Sequence, residues 1–460
     1  MKKITIALLV YANTLGGCKK FLDVNKDPNN PVDVQEALLL APIETNISDN
    51  VYAGNAPVII QNFVQGIAPN QPNPGLWNYQ SFNIDYDGDW NAFYVICLNN
   101  LKILNDKAEA DGKSNYAAVA KILSAYTLGT ATDFWGDIPY SQAFQGISKI
   151  TPAYDKQEDI YKDVQSLLTD AITEIGKGST VTPGTDDYFY NGNMSSWLKL
   201  AYVLKARYFM HLTKAPGYTA AVQADSALKA LANGMTSNDD DLSFAYAGAA
   251  GTENSWYLTF SPVSTYVLNS TFVDSLKARN DPRLSKMVQP AVNTGLYVGR
   301  TIGTTTGDLN AYSYPSDYYA AIGASNHILT YPEALFLQAE ASFIKSGASA
   351  AQPLYQQAIT QHMLKLGVAQ TDIDAYLTTR GALTSANALQ WIMEEKSVAN
   401  FLNEENWTDW RRTGFPLLTP VQGALSAVPR RLLYPEAEIL TNAQPQQSAK
   451  LTDRVWWDAQ

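Results

Sequence analysis

Cysteine is nearly absent from this chain of 460 residues, which holds only Cys18 and Cys97. A framework of disulfides is thereby excluded, and so are cysteine-rich zinc sites, which need paired Cys-x-x-Cys spacing. Histidine is almost as scarce: His211, His327 and His362 lie far apart in unlike contexts. No His-Glu-x-x-His, no Gly-x-Ser-x-Gly and no phosphate-binding glycine loop ending in Lys-Ser or Lys-Thr occurs. Zinc hydrolysis and Ser-His-Asp chemistry therefore lack their parts. His211 and His362 fall in helical patterns and read as structural. Basic clusters are missing as well, with 33 Lys and Arg against 44 Asp and Glu and a formal net charge of −11. Such a balance speaks against nucleic acid as a partner and against a polybasic grip on anionic lipid. Long apolar runs are also wanting. The one that opens the chain, Ile4 to Leu15, is too short to span a bilayer.

That short run has a layout of its own. Met1-Lys2-Lys3 precedes it, and Leu15-Gly16-Gly17-Cys18 closes it. A basic start, an uncharged stretch and small residues before a cysteine form a secretory signal with a bacterial lipoprotein box. The expectation is cleavage after residue 17 and lipidation of Cys18. Several acyl chains at ~0.8 kcal/mol per buried CH2 make a stable anchor. Residues 18–34, rich in Asn, Asp and Pro, read as an extended tether between lipid and globule. Residues 35–460 are then one large domain, in a chain that is 46% hydrophobic. Cys97, left without a partner in Phe93-Tyr94-Val95-Ile96-Cys97-Leu98, reads as a small buried hydrophobe.

Helical periods dominate the body, so the fold class is mainly α. Helices are expected near 86–110 and 115–131, 156–176 and 195–213, 217–232, and 332–345 and 350–366. Asp155-x-x-Glu158 resembles a capping box, and Thr330-Tyr331-Pro332-Glu333 is a fuller helix start. Adjacent helices with short links follow the logic of tetratricopeptide-like pairs. Two stretches, 66–92 and 234–330, carry Gly, Pro, Asn, Ser, Thr and Tyr with little helical period. Loops of that length in a compact domain tend to be functional.

Aromatic residues are plentiful, with 27 Tyr, 10 Trp and 15 Phe. Sugars offer apolar C–H faces for ring stacking and hydroxyls for Asn, Asp and Gln, and the two loop stretches carry both kinds of partner. Trp90, Phe93 and Tyr94 are expected to face a helical core. Trp77 and Tyr79, beside Pro72, Pro74 and Gly75, are the first ligand candidates, with Trp256, Tyr314 and Tyr318 behind them. Two acidic groups, Asp85 to Asp89 and Asn238 to Asp241, have the oxygen chemistry of a bound calcium, although the first lacks the closing glutamate of a calcium loop. A pair of carboxylates for glycoside hydrolysis is also available in principle, which keeps a helical-barrel glycosidase as an alternative.

Several motifs occur together in one order. They are Phe21-Leu22-Asp23-Val24-Asn25 through Pro31 after the lipobox, Thr132-Asp133-Phe134-Trp135-Gly136-Asp137-Ile138-Pro139-Tyr140, and Asp281-Pro282-Arg283-Leu284. Tyr331-Pro332-Glu333-Ala334, Trp407-Thr408-Asp409-Trp410-Arg411-Arg412, Pro429-Arg430-Arg431-Leu432 and Val455-Trp456-Trp457-Asp458 complete the set. This series resembles the SusD/RagB-like nutrient-binding outer-membrane lipoproteins. The resemblance implies a helical scaffold and a cell-surface protein without enzymatic activity or cofactor. It further implies capture of oligosaccharides or, in some members, oligopeptides, and delivery to a SusC-like TonB-dependent β-barrel transporter. Its motifs look like fold elements: Trp410 is expected to stack on Arg411 or Arg412, and Asp409 to pair with one of them.

Overall fold

The computed structural model describes residues 34–260, 265–445 and 448–459. The signal segment, Cys18 and the tether as far as residue 33 lie outside the described residues. Helices α1 (Glu36–Asn46) and α2 (Asn55–Phe63) open the described chain, joined by a wide π-type turn, Ile47–Tyr52. Then come α3 (Asn99–Ala110), α4 (Ser114–Trp135), α5 (Gln157–Gly176), α6 (Met194–His211) and α7 (Ala220–Leu231). Later helices are α8 (Ser270–Ala278), α9 (Tyr331–Ser346), α10 (Ala348–Lys365), α11 (Gln370–Arg380), α12 (Ala388–Ala399) and α13 (Glu405–Thr413).

The expected pairs are present. α3 packs on α4, α5 on α6 and α9 on α10; α4 also packs on α5 and α6 on α7, and α9 meets α7 and α12. α4 is the central rod, buried at nearly every residue, as a helix apolar on all sides must be. α5 buries one stripe, Ile160, Val164, Leu168 and Ala171, and leaves its other face to water. Between α4 and α6 the contact is close. A methyl group on Gly129 would stand 2.3 Å from the Tyr208 hydroxyl, so only glycine fits there. Trp90, Phe93 and Tyr94 do face the core, where Trp90 and Phe93 set their rings edge-on against Trp135. Cys97 is fully buried, and that burial pushes its thiol up to about 12.

Helix starts separate two kinds of signal. Thr330 caps α9 by accepting from the Glu333 amide, with Pro332 in the first turn. The capping box at α5 is not formed. Asp155 instead accepts from the Tyr140 and Ser141 amides, and Asp137 takes the Gln157 amide. A chain partner fifteen residues away has displaced the local one.

Strands among the described residues form three antiparallel ribbons. β1 (Ile67–Pro69) pairs with β3 (Tyr266–Leu268), β2 (Leu242–Phe244) with β6 (Asn326–Leu329), and β4 (Val288–Gln289) with β5 (Tyr314–Pro315). They tie the segments that carry little helical period to one another.

The motif around Trp407 is structural, as expected; Asp409 pairs with Arg412 as foreseen, but the cation on Trp410 is a different one. Arg411 lies 3.7 Å above the Trp407 ring and 4.7 Å from the Trp457 ring. Trp410 receives Arg430 at 4.8 Å, not Arg411 or Arg412. Arg412 pairs with Glu340 and, at 2.9 Å, with Asp409. These charges belong to a buried network that also joins Asp133, Arg207, His211, Glu333, Lys396 and Glu405. His211 is one of its members and is structural.

Candidate functional site

The loop after β1 is short of apolar residues and is therefore held by polar contacts at both ends. Asn70 donates to the Gly307 carbonyl at 2.6 Å and accepts from Arg300 Nε at 3.1 Å. Asn78 donates to the Gln422 carbonyl at 2.9 Å, and its own carbonyl accepts the Leu425 amide at 3.0 Å. Between these clamps stands Trp77, half-buried, its Nε1–H donated to Asn73 Oδ1 at 2.9 Å. The indole lies over Gly75, where a side-chain carbon would meet it at 2.4 Å. Its remaining surface faces outward, and Leu425 of the neighbouring loop is exposed. The result is a half-buried indole whose orientation is fixed by its own loop.

The other expected site residues divide. Tyr79 is buried, edge-on to Phe63 at 5.7 Å, and its hydroxyl receives the Val421 amide. Trp256 is only 1% exposed. It sits in the helical turn Ser255–Phe260, started by Asn254, whose side chain accepts the Tyr257 amide. Six residues are too few to display a helical period, so the turn reads as loop in sequence. Trp256 and Tyr318 are brought together around an internal space of about 20 Å³, with Tyr318 stacked on His327 at 5.0 Å. In this conformation Tyr79 and Trp256 present no ring face to a ligand. Tyr314, on β5, is half-buried and keeps part of its ring accessible.

A cleft of about 1030 Å³ was not foreseen. The π-type turn Ile47–Tyr52 supplies Asp49 and Asn50, the start of α2 supplies Asn55, and Tyr246 and Glu253 come from the segment after β2. Tyr188 and Tyr266 add further rings. Asp49 Oδ1 accepts from the Tyr246 hydroxyl at 2.5 Å and from Ser255 Oγ at 2.7 Å. Burial, then the Asp49 charge, push the Tyr246 phenol well up, so it remains a donor. The cleft and the Trp77 loop leave the same ribbon: Tyr266 faces Pro69 in register, and the loop begins at the next residue. A second space of about 370 Å³ lies between α8, α12 and residues 416–418, lined by Phe272, Phe401 and Trp410.

The acidic segments have other duties. Asp85 takes the Phe82 amide, Asp87 the Ala437 amide and Asp89 the Ala56 amide. Asp240 pairs with Lys199 at 2.8 Å and Asp241 with Lys365 at 2.5 Å. Among the described residues no group of three His, Cys, Asp or Glu side chains is arranged to hold a metal ion.

Comparison with known proteins fits this geometry. The profile of a SusD-like family, described as starch-binding and associating with the outer membrane, matches residues 28–435. The chain belongs to the SusD-like family. A chitin-binding protein of solved structure is 27% identical and superposes with a TM-score of 0.81, over 93% of this chain and 100% of that one. A SusD/RagB family protein from Bacteroides thetaiotaomicron is 23% identical, with a TM-score of 0.78 over 93% and 99%. A chitin-binding SusD homolog from Flavobacterium johnsoniae is 22% identical, with a TM-score of 0.79 over 92% and 98%. No match is found among curated protein sequences. Members of the SusD-like family are binding proteins, not enzymes, which sets the glycosidase alternative aside. Association with the outer membrane is likewise a family property, and no helix among the described residues is long and apolar enough to cross a membrane.

Proposed function

We propose that this SusD-like protein is a cell-surface lipoprotein that captures oligosaccharides and passes them to a SusC-like TonB-dependent transporter. The observations that carry the ligand class are the pre-set Trp77 ring and, in the same protein, a cleft that mixes tyrosine faces with Asn and Asp edges. Sugars need both. The relatives described as chitin-binding add support. Delivery to a transporter favours modest affinity, since capture has to be followed by release. Micromolar to millimolar binding corresponds to about −8 to −4 kcal/mol, within reach of a few stacked rings and hydrogen bonds after ordering costs.

Trp77→Ala is expected to weaken oligosaccharide binding by about 0.5–1.5 kcal/mol while leaving the melting temperature in place. Titration of the purified lipoprotein with panels of oligosaccharides and oligopeptides checks this. Binding of peptides alone would overturn the glycan reading. Unaltered glycan affinity in the variant would overturn the role of Trp77.

Membrane attachment is assigned to Cys18, on the strength of Leu15-Gly16-Gly17-Cys18 after an uncharged run. Cys18→Ala is expected to shift the protein out of the membrane fraction or to leave the signal uncleaved. Mass spectrometry of the parent's mature N-terminus reads the same point, and an unacylated Cys18 would refute it.

A further inference from the structure

The 1030 Å³ cleft has a charge character that goes beyond general sugar binding. Two carboxylates, Asp49 and Glu253, line it, and none of its lining residues is Lys, Arg or His. Both are half-buried, and among the described residues neither carboxylate has an ion-pair partner. Each is oriented through one oxygen only. Asp49 Oδ1 is held by Tyr246 and Ser255, and Glu253 Oε2 by the Gly251 amide at 2.7 Å. Asp49 Oδ2 and Glu253 Oε1 take no hydrogen bond from the described residues. Tyr188, 51% exposed, offers a ring at the same cleft. Fixed carboxylates beside an aromatic face attract a cation twice, by charge and by the ring quadrupole. Apolar surface and the Asn50 and Asn55 amides complete a lining suited to a sugar ring, and the volume admits more than one.

We propose that this cleft selects glycans whose sugars carry a free amine, with the ammonium group set between Glu253, Asp49 and the tyrosine faces. The inference rests on the cleft being a saccharide site and adds its charge preference. A neutral N-acetylated sugar would stack there but would leave both carboxylates unpaired.

The test is calorimetric titration of the purified full-length lipoprotein, at mildly acidic pH, with two probes of equal length. One is an N-acetylglucosamine oligomer, the other its fully deacetylated form. The deacetylated oligomer is expected to bind tighter at low salt, with the advantage shrinking as salt rises. Glu253→Gln is expected to reduce its affinity about threefold to tenfold, the range of a half-exposed ion pair with a ring contact, and to leave the neutral oligomer unchanged. Asp49→Asn, which keeps an acceptor for Tyr246 and Ser255, should act in the same direction. Equal affinities for the two oligomers, or losses alike for both in Glu253→Gln, overturn the charge preference and leave the saccharide reading standing. Binding of a lysine-bearing peptide through Glu253 with no binding of the amine oligomer also overturns it. If neither oligomer binds, the saccharide reading of the cleft falls as well.

Discussion

Trp407→Ala is expected to destabilise the protein by about 3–5 kcal/mol, the cost of truncating a large ring in a closed core. The indole is fully buried and touches the Phe63 and Phe134 rings at 5.9 and 6.2 Å. Its Nε1–H donates to the Pro429 carbonyl at 2.8 Å, so the change also strands a buried acceptor. A further loss falls on Arg411. Burial depresses that guanidinium to about 10, and the Trp407 and Trp457 faces help keep it charged while it donates to the Asp133 carbonyl at 2.6 Å. Removing one face leaves a buried cation less well held. Trp407→Phe keeps a six-membered ring but loses the rest of the indole volume and its hydrogen bond, so its cost should be nearer ~1–3 kcal/mol. Chemical denaturation of the three proteins measures the series. An unchanged midpoint in Trp407→Ala would show that this motif does not hold the fold.

The scaffold was largely legible in the sequence because its signals are local. A helical period over eighteen residues, or Thr330 and Pro332 ahead of Glu333, is complete within one window of the chain. Asp155 shows the limit. Its residue type and spacing match a cap, yet the Tyr140 and Ser141 amides compete for the same carboxylate, and only the fold brings them near. Trp256 shows another. Its loop-like surroundings hide a single helical turn that rotates the indole into the core.

The candidate site was less legible for a related reason. Trp77 could be singled out because Pro74 and Gly75 mark a loop, and a ring on a loop has few neighbours to pack against. The cleft draws Asp49, Tyr188 and the pair Tyr246 and Glu253 from three places in the chain, each unremarkable where it stands. Asp49 is a polar residue at the end of a helical pattern, and only the widened turn of Ile47–Tyr52 gives it a direction. The buried network was hidden in the same way, since Asp133, His211 and Glu405 come from three separate helical segments.

Glu405→Gln is expected to cost about 3–5 kcal/mol, as breaking a buried ion pair from one side does. Glu405 Oε1 lies 2.9 Å from His211 Nε2 and 3.6 Å from Lys396 Nζ, and Oε2 lies 3.9 Å from Arg207 Nε. One anion thus faces three cationic groups, and a neutral amide would leave them to repel one another. The same geometry sets a pH dependence. Burial opposes charge on His211, but Glu405 and Asp133 outweigh it and hold the imidazole at about 9, above its ordinary 6.5. A histidine raised on folding contributes stability that is complete below about 6.5 and lost as pH climbs through 9. For a fully buried group the loss over that window is about 3 kcal/mol. Glu404, which burial pushes up to about 8 with a smaller contribution from the Glu405 charge, adds to the decline at the lower end of the same range, somewhat less in the variant. Unfolding free energies near pH 6 and pH 9.5 should therefore fall with pH in the parent. The fall should be smaller in Glu405→Gln, because His211 then keeps only Asp133 and its value drops toward the unfolded one. An equal alkaline loss in both proteins would mean that Glu405 does not hold the proton on His211.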